Sequence, residues 1–374
     1  MATRRRCPQD PLRPQVTCTV NCLPSTVYSP LSQSFLVLQT SFLGDLVLTT
    51  PLIAALAERG TVDVVTTPAG APLLANHPAV RQVIVYDKRR SDAGLAGVWR
   101  LARQLRANRY DAALCAQGSA RTAALARLAG IPRVVGFTTS GGKWLYTERV
   151  PYSKGAHHAA RLLQLAGPAA AASGNADAGR ADSAVQPHLY PGPTEQREVD
   201  QLLHDVPRDG AHLLALAPGS IWGTKRWPHF PALAARLAPV YRIVIVGGQE
   251  DAPLAAEIAR VAGPERVVDA TGRLSLLASA ELLGRCAAIV TNDSAPQHLA
   301  SAMGTPTLTI YGPTVPAFGF GPLAPRHAVA EPHGLPCRPC DGHGPQRCPL
   351  VHWRCMQEQA VGDIEGAVHE LLRP

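Results

Sequence analysis

The sequence lacks any run of the ~18 consecutive apolar residues that a membrane-spanning helix needs, although 46% of its residues are hydrophobic. That hydrophobic content is enough to build sizeable cores. At 374 residues the chain is also longer than most single domains. We therefore expect a soluble protein with two domains of ordinary size.

An export signal is also missing. Three consecutive arginines near the start imitate the basic end of a signal peptide, but Pro11, Arg13, Pro14 and Asn21 interrupt any apolar segment after them. Residues 1–33 are therefore interpreted as a poorly ordered extension. Nine cysteines in a chain of this size, without an export signal, favour a reducing cytoplasm over a secreted disulfide scaffold.

Acidic residues are scarce in the first part of the chain. Residues 1–165 contain 20 Lys and Arg against 8 Asp and Glu, whereas the remainder contains 16 against 20. A basic half suits a polyanionic acceptor or an anionic membrane surface. Nucleic acid is less favoured, because no zinc-finger, RNP-type or aromatic-basic pattern accompanies the charge. The candidate contacts are Lys88, Arg89, Arg90, Arg100, Arg103, Arg106 and Arg109, although the arginines at 100, 103 and 106 alternatively form the solvated face of one helix.

Short apolar runs alternate with helical stretches along the whole chain, a pattern typical of parallel βα units. Between residues 167 and 195 the sequence becomes rich in Ala, Gly and Ser and loses its periodicity. We therefore predict an α/β protein with two doubly wound, Rossmann-like domains, 34–166 and 196–374, which face each other across a cleft. The predicted strands are 35–39, 62–66, 82–86, 110–115 and 133–137, then 212–217, 241–246, 266–269, 287–291 and 307–311.

Asp45 is the first candidate for chemistry. It lies between the apolar run 35–39 and a segment with helical spacing, 46–58. With Gly44 in the turn, this carboxylate would stand at the carboxyl edge of the first strand, facing the cleft in which open α/β sheets bind ligands. The competing interpretation is that Asp45 caps the helix.

A second candidate stretch, 217–228, ends a predicted strand and leads into a helix. Its glycine turn at Gly219, the hydroxyls of Ser220 and Thr224, and Lys225 offer backbone N–H groups and a point charge to a phosphate. The alternative is that the lysine is an ordinary surface residue.

The next predicted strand ends in small residues followed by Glu250 and Asp251. Carboxylates at such a strand end commonly hold ribose hydroxyls, as in dinucleotide sites. Capping of a helix by Glu250 or Asp251 explains the pattern equally well.

The segment 290–306 has the strongest pattern. A strand runs into Asp293, Ser294 can cap the helix that follows, and Pro296 fits its first turn, so that the free N–H groups of the helix start form an anion site. His298 lies four residues after Ser294, on the same helical face. It is either a phosphate ligand or a structural histidine.

At this point the ordered motifs resemble those of the ADP-heptose:lipopolysaccharide heptosyltransferases, glycosyltransferase family 9. The resemblance runs from about Phe35 to the C-terminus and is nearest to the heptosyltransferase II branch, which often has Cys-x-x-Cys and Cys-Pro-Leu before its C-terminal helix. It implies a GT-B fold and an inverting, metal-independent transfer. The motifs are Ser41-Phe-Leu-Gly-Asp45, Thr50-Pro51, Pro218-Gly-Ser220, Lys225-Arg-Trp-Pro228, Gly247-Gly248, Asp293-Ser-Ala-Pro-Gln-His298 and Tyr311-Gly-Pro-Thr314.

The resemblance implies roles for individual residues. Asp45 matches the general base, and Lys225 matches the lysine that binds the diphosphate and stabilises its departing charge. An acceptor-binding first domain and a donor-binding second domain are implied. Donor-binding residues are then Gly219, Ser220, Thr224, Glu250, Asp293, Ser294, Ala295 and His298, and acceptor-binding candidates are Lys88, Arg89, Arg90 and Arg121. Many relatives carry a glycine-containing pair at Ala295-Pro296, so this chain departs from the family there.

The implied partners are a nucleotide-sugar donor and an anionic lipopolysaccharide acceptor. We expect a cytoplasmic monomer in transient contact with the inner-membrane surface, and no binding of nucleic acid. The chain contains no Asp-x-Asp pair, so a divalent metal has no obvious ligands for bridging the nucleotide diphosphate, and no cofactor is expected.

A cysteine-rich segment, 337–355, precedes the terminal helix. Cys-x-x-Cys followed by two more cysteines is compatible with a structural zinc site, with free thiols or with disulfides, and all three alternatives stay open. The four cysteines are Cys337, Cys340, Cys348 and Cys355, with His343 and His352 between them.

Two other functions stay open as alternatives. One is a sugar-nucleotide epimerase on the same scaffold. The other is a sugar-nucleotide sensor without turnover, against which Asp45 argues, because retaining a nucleotide requires only the second domain.

Overall fold

Two six-stranded sheets, one in each half of the chain, have the same strand order, β3-β2-β1-β4-β5-β6 and β9-β8-β7-β10-β11-β12. The structure is a computed structural model that describes residues 33–167, 185–207 and 209–373. Every strand pair is parallel, which confirms the predicted doubly wound α/β fold. The strands are β1 Gln33–Leu38, β2 Gly60–Thr66, β3 Gln82–Val85, β4 Ala112–Cys115, β5 Arg133–Phe137, β6 Glu148–Val150, β7 Leu213–Ala217, β8 Arg242–Ile245, β9 Val267–Asp269, β10 Ala288–Asn292, β11 Thr307–Ile310 and β12 His327–Ala330.

Helices connect most of these parallel strands, as is usual for crossover connections. The β2–β3, β5–β6 and β11–β12 connections instead contain only a short 3-10 turn. None of the helices, within the described part of the chain, combines the length and hydrophobicity of a membrane-spanning segment. They are α1 Leu43–Val47, α2 Thr50–Ala57, α3 Gly94–Ala107, α4 Ala120–Leu128, α5 His158–Leu163, α6 Pro193–Leu202, α7 Phe230–Leu237, α8 Ala252–Ala262, α9 Leu276–Gly284, α10 Ala295–Met303, α11 Arg354–Gln357 and α12 Val361–Leu371.

Two predicted segments fall largely on residues that the structure does not describe. Residues 1–32 of the predicted extension and residues 168–184 of the predicted insert lie outside the described ranges. The predicted domain boundaries therefore stay predictions.

Two of the four edge strands of the described sheets, β6 and β12, were not predicted. Their residues alternate between half-buried and exposed positions, whereas the central strands β1 and β7 are almost entirely buried. An edge strand pairs on one side only and needs no continuous apolar run, so the pattern that marks a central parallel strand is absent there.

The halves share one hydrophobic cluster. It contains Val47 and Leu162 of the first half together with Leu277 of the second, and Phe35 and Val37 of β1 belong to it. The alternate β1 residues, Leu36 and Leu38, belong to a different cluster beneath α3 and α4. One face of the first sheet therefore packs toward the second half, and the other face is covered by α3 and α4.

The prediction of one continuous helix over 46–58 is wrong at its start. Two helices, α1 and α2, replace it. The Thr49 hydroxyl donates to Asp45 O (2.7 Å) and the Thr50 hydroxyl to Val47 O (2.8 Å). Pro51 lacks an N–H group and is tolerated only at the start of the new helix.

Candidate active site

The candidate residues lie where the strand order reverses. In each sheet the order reverses beside the first strand, between β1 and β4 and between β7 and β10. The loops after neighbouring strands leave in opposite directions there and open a crevice at the carboxyl edge. Asp45 follows β1, the 218–220 turn follows β7, and Asp293 follows β10.

Gly44 allows the two halves to pack closely where their crevices meet. A Cβ atom at this position would lie 2.6 Å from Cδ2 of His298, a separation that side-chain atoms do not tolerate. Only glycine lets α1 of the first half approach α10 of the second so closely. Asp45, the next residue, is thereby fixed beside the interface between the halves.

Asp45 is half-buried in the first turn of α1, and no side chain caps this helix. Burial raises the pKa of its carboxyl group, while hydrogen bonding to the Ser41 side chain and the Phe42 N–H, and the charge of His343, act in the opposite direction. A carboxyl group with a raised pKa is a stronger base than an exposed aspartate.

Lys225 is buried and paired. Its Nζ lies 2.6 Å from Oδ2 of Asp293, and both side chains are only 10% exposed. The Thr314 hydroxyl donates to the same oxygen, also at 2.6 Å. The ammonium group is therefore fixed at the mouth of the second crevice by a carboxylate that is itself fixed by a hydroxyl.

The turn after β7 packs on an aspartate. A Cβ atom at Gly219 would lie 2.3 Å from the Asp251 carboxylate, which accepts a hydrogen bond from Gly248 N at 3.0 Å. Asp251 is buried and caps its short helical turn, whereas Glu250 is exposed at the rim. Of the two carboxylates, Glu250 is thus the one that a ribose could reach.

Ser220 and Thr224 already have partners. The Ser220 hydroxyl accepts a hydrogen bond from Trp222 N (3.2 Å), and the Thr224 hydroxyl donates to Pro345 O. The Asn292 amide donates to Pro218 O (2.8 Å), which joins the turn after β7 to the end of β10. The hydroxyl of Thr224 would have to leave Pro345 to contact a phosphate.

Helix α10 begins after Ser294, as predicted. The predicted side-chain cap is absent, because the Ser294 hydroxyl donates backward to Asn292 O at 3.3 Å. Nothing from this side chain therefore occupies the helix N-terminus, where the first-turn N–H groups have no intrahelical partners. Ala295 stands in this first turn, and Gly304 ends the helix with φ of 72°.

His298 is buried beneath this end of the helix. Burial lowers the pKa of His298 to about 3, and the charges of His157, His158 and Lys225 act in the same direction. The imidazole is therefore neutral, and its Nδ1 has no hydrogen-bond partner among the described residues. Across the interface its ring packs on Gly44.

The cysteine-rich segment belongs to the site, although the sequence indicated a separate element. Pro345 O accepts hydrogen bonds from the N–H and hydroxyl of Thr224, and Gln346 Oε1 accepts one from Gly223 N at 3.2 Å. A Cβ atom at Gly344 would lie 3.4 Å from Cε of Lys225. The segment thus covers the loop that carries Lys225.

His343 of this segment is the residue that sequence reasoning missed. Its ring stacks on Trp222 of the second half, with centroids 6.0 Å apart, and lies 5.8 Å from the ring of Phe42 in the first half. Asp341 Oδ1 accepts a hydrogen bond from His343 N at 2.7 Å and fixes the turn. The Asp341-Gly-His-Gly344 turn is the sequence feature that could have indicated a role for His343. The cysteines on both sides of it favoured an interpretation as a metal site instead.

The four cysteines of the segment are free thiols in this structure. Cys337 Sγ lies 3.9 Å from His352 Nε2. No group of three or more His, Cys, Asp or Glu within the described ranges is arranged to hold a metal ion. A structural zinc ion in solution stays an untested alternative.

The acceptor candidates form a basic cluster beside the Asp45 loop. Lys88 Nζ donates to Thr40 O at 2.7 Å, and Arg121 Nη1 donates to Lys88 O at 3.4 Å. Burial and the neighbouring charges of Arg89 and Arg121 lower the pKa of Lys88. Arg89 and Arg90 are exposed. An anionic group placed here would lie next to the first crevice.

The fold and the site together define a class of protein. Two doubly wound halves present a carboxylate from one crevice and a lysine with a helix N-terminus from the other. That division suits the transfer of a group from a nucleotide diphosphate to an acceptor hydroxyl, and it is the arrangement of a GT-B glycosyltransferase.

Known proteins support this class. Lipooligosaccharide heptosyltransferase 2 of Haemophilus influenzae is 27% identical over 307 residues, which cover 76% of this chain and 85% of the relative. Lipopolysaccharide heptosyltransferase 1 of Pseudomonas aeruginosa is 31% identical over 327 residues, covering 82% and 85%. A glycosyltransferase family 9 structure from Veillonella parvula has a similar fold, with a TM-score of 0.78 at 21% identity over 91% of this chain and 97% of that one.

The sequence profile described as glycosyltransferase family 9 (heptosyltransferase) matches residues 98–346. The chain therefore belongs to glycosyltransferase family 9 and is a glycosyltransferase, which confirms the resemblance of its motifs. Type 1 and type 2 heptosyltransferases both occur among its relatives, so the nearer branch stays a prediction.

Proposed function

We propose that this protein transfers heptose from ADP-heptose to the inner core of lipopolysaccharide, with inversion at the anomeric carbon. The observation that carries the proposal is the contact of Gly44 with His298, which sets Asp45 of the first half against the helix after Asp293 of the second. Both named relatives are heptosyltransferases of lipopolysaccharide or lipooligosaccharide, which supports the same sugar and acceptor class.

Asp45 acts as the general base. The acceptor oxygen attacks the anomeric carbon from the face opposite the nucleotide, and Asp45 takes the proton of that hydroxyl as the new bond forms. The bond between the anomeric carbon and the diphosphate oxygen breaks, and ADP leaves with the electron pair. Burial raises the pKa of Asp45, which strengthens it for this role.

Lys225 stabilises the departing diphosphate. Its buried ammonium is positioned by Asp293 at 2.6 Å, so little reorganisation is needed when charge develops on the leaving group. The N–H groups at Ser294 and Ala295 add the partial positive charge of a helix N-terminus. The lysine and the helix N-terminus then supply the positive charge that a divalent metal would otherwise provide to the diphosphate.

The remaining donor contacts follow from the crevice. Gly219 and Ser220 line the turn after β7, where the backbone can approach a phosphate, and exposed Glu250 binds the ribose hydroxyls. His298 supports the contact between the halves as a neutral, buried ring rather than as a charged phosphate ligand.

On the acceptor side, Lys88, Arg89, Arg90 and Arg121 bind the anionic groups of the inner core. The acceptor is anchored in a membrane by its lipid, so the enzyme, as a monomer, works from the cytoplasmic side at the surface of the inner membrane. The basic balance of residues 1–165 supports attraction to that surface.

The test is an assay of nucleotide release with ADP-, UDP- and GDP-sugars, each with and without lipopolysaccharide acceptor. The proposal expects ADP release from ADP-heptose that depends on the acceptor. Conversion of the sugar nucleotide without acceptor would instead indicate an epimerase, and tight binding without any turnover would indicate a sensor.

A further inference from the structure

Helix α3 exposes apolar side chains among its arginines. Leu95 and Trp99, one turn apart, are 88% and 56% exposed. The guanidinium carbon of Arg103 lies 4.8 Å from the centroid of the Trp99 ring. Leu95 in particular contributes almost no buried apolar area to the fold, since almost its whole side chain faces solvent.

A second exposed tryptophan lies in a turn that packs on α4. Trp144 is 70% exposed and lies in the short turn Lys143–Leu145. Gly142, just before the turn, packs closely on Ala120 of α4. The buried sides of α3, α4 and this turn belong to one hydrophobic cluster, so they form one layer. The outer surface of this layer is here called the α3–α4 surface and is defined by Leu95, Trp99, Arg103, Arg127, Lys143 and Trp144.

The α3–α4 surface points away from the second half. It covers the face of the first sheet to which Leu36 and Leu38 point, whereas Phe35 and Val37 point into the cluster shared with the second half. A large object on the α3–α4 surface would therefore not displace the second half or its donor crevice.

This surface adjoins the predicted acceptor site. Helix α3 begins shortly after the basic loop that contains Lys88, and Arg100 Nη2 donates to Ser91 O at 2.6 Å, which joins the loop to the helix. Lys88 in turn contacts Thr40, at the end of β1 and next to the Asp45 loop. A molecule seated on α3 would thus be continuous with the approach to Asp45.

We propose that the α3–α4 surface docks on an anionic phospholipid bilayer. Exposed tryptophan and leucine side chains enter the interface between headgroups and acyl chains, while arginine and lysine beside them attract anionic headgroups. The excess of 20 basic over 8 acidic residues in 1–165 gives this half the complementary charge. The inference rests on the proposed function, because it supplies the surface by which a lipid-anchored acceptor would be reached.

Vesicle flotation tests the docking directly. The full chain is mixed with phosphatidylglycerol–phosphatidylcholine vesicles and with pure phosphatidylcholine vesicles. We expect binding to the anionic vesicles that falls as salt is raised. The Leu95→Ser/Trp99→Ser variant should bind at least about tenfold more weakly, because two apolar anchors are lost. Val240→Ser is the matched control, since Val240 is an exposed residue of the second half, and it should bind like the wild type.

Transfer assays separate this inference from the proposed function. With lipopolysaccharide embedded in vesicles, the double variant should lose most of its transfer, and with a water-soluble acceptor without acyl chains it should equal the wild type. If the wild type transfers to neither acceptor, the proposed function fails while flotation still tests the surface.

Two results would overturn the docking proposal. One is equal vesicle binding by the double variant and the wild type. The other is evidence that the surface binds a second copy of the chain. In that case light scattering would show a wild-type dimer that the double variant no longer forms, while the two proteins float equally with vesicles.

Discussion

The two halves share one strand order but carry opposite chemistry at the point where that order reverses. In the first half a half-buried carboxylate, Asp45, lies in the segment after β1, and the basic residue Lys88 donates to Thr40 O in the same segment. In the second half an ammonium group, Lys225, is buried against Asp293. The same backbone topology thus provides the position of a site, and the side chains after the first strand decide what the site does.

The two crevices also differ in how firmly their key residue is fixed. Lys225 has a carboxylate partner that is itself held by Thr314. Asp45 has no ion-pair partner among the described residues. A fixed cation suits a binding role, and a carboxylate without a salt bridge is free to take up a proton.

Removing the carboxylate of the first half should have the largest effect. Asp45→Asn keeps the size of the side chain but cannot accept the acceptor proton, so we expect acceptor-dependent ADP release to fall by about 10²–10⁴-fold. Donor affinity, measured by calorimetry, should stay nearly unchanged. The matched control is Asp111→Asn, because Asp111 lies beside Ser34 at the opposite end of the first sheet. Wild-type turnover by the Asp45→Asn variant would contradict the assignment of Asp45 as the general base.

Removing the cation of the second half should affect both binding and transfer. Lys225→Met should weaken ADP-heptose binding and lower turnover by about 10²-fold or more, because the diphosphate loses its positive charge. It also leaves the Asp293 carboxylate buried without its partner, which costs about 3–5 kcal/mol of the free energy of unfolding.

The control for this variant is Lys225→Met/Asp293→Asn. The double variant should regain much of the stability in denaturant unfolding, because no unpaired charge remains buried, but it should not regain transfer. If it transferred heptose at the wild-type rate, the lysine would be structural only.

Separating the halves should have an intermediate effect. In Gly44→Ala the added methyl group would lie 2.6 Å from the His298 ring, so the halves must move apart, at a cost of about 1–3 kcal/mol in stability. Transfer should fall while donor binding to the second half persists. Gly366→Ala, in a helix with open space around it, is the control and should be neutral or slightly stabilising. Equal transfer by Gly44→Ala and wild type would contradict the role of this contact.

The smallest expected effect concerns pH. In the proposed mechanism transfer requires ionised Asp45, so we expect transfer to fall as pH drops through the pKa of this group. Burial raises that pKa, and the charge of His343 opposes the increase. Removing the charge in His343→Gln should therefore move the acid limb of kcat/KM to higher pH, with little change at alkaline pH.

His343→Phe is the matched variant, because it keeps a ring between Phe42 and Trp222 but no charge. The acid limb should move in the same direction in both variants. A limb that stays in place in both would show that the histidine only packs between the halves.

Much of the fold followed from local sequence. Central strands such as β1 and β7 are buried on both faces and therefore read as apolar runs. The strand order did not follow, because it depends on how distant segments pair. The edge strands β6 and β12 were also not predicted, since their half-exposed residues form no such apolar run.

Candidate site residues could be predicted from sequence where a single loop contains the pattern. Asp45, Lys225 and Asp293 each lie in a segment that follows a predicted strand. In the structure Asp293 comes directly after β10, whereas Asp45 lies in α1 and Lys225 in the short turn Gly223–Lys225. The pairing of Lys225 with Asp293, 68 residues apart, and the position of His343 between two aromatic rings are products of tertiary packing. No local pattern encodes such contacts.

A crystal structure with a non-transferable ADP-heptose analogue tests the central claim most directly. We expect the diphosphate against Lys225 and the start of α10, with the anomeric carbon in the space between it and the Asp45 carboxylate. A diphosphate bound away from Lys225, or an anomeric carbon on the side of the cleft that Asp45 cannot reach, would contradict the account.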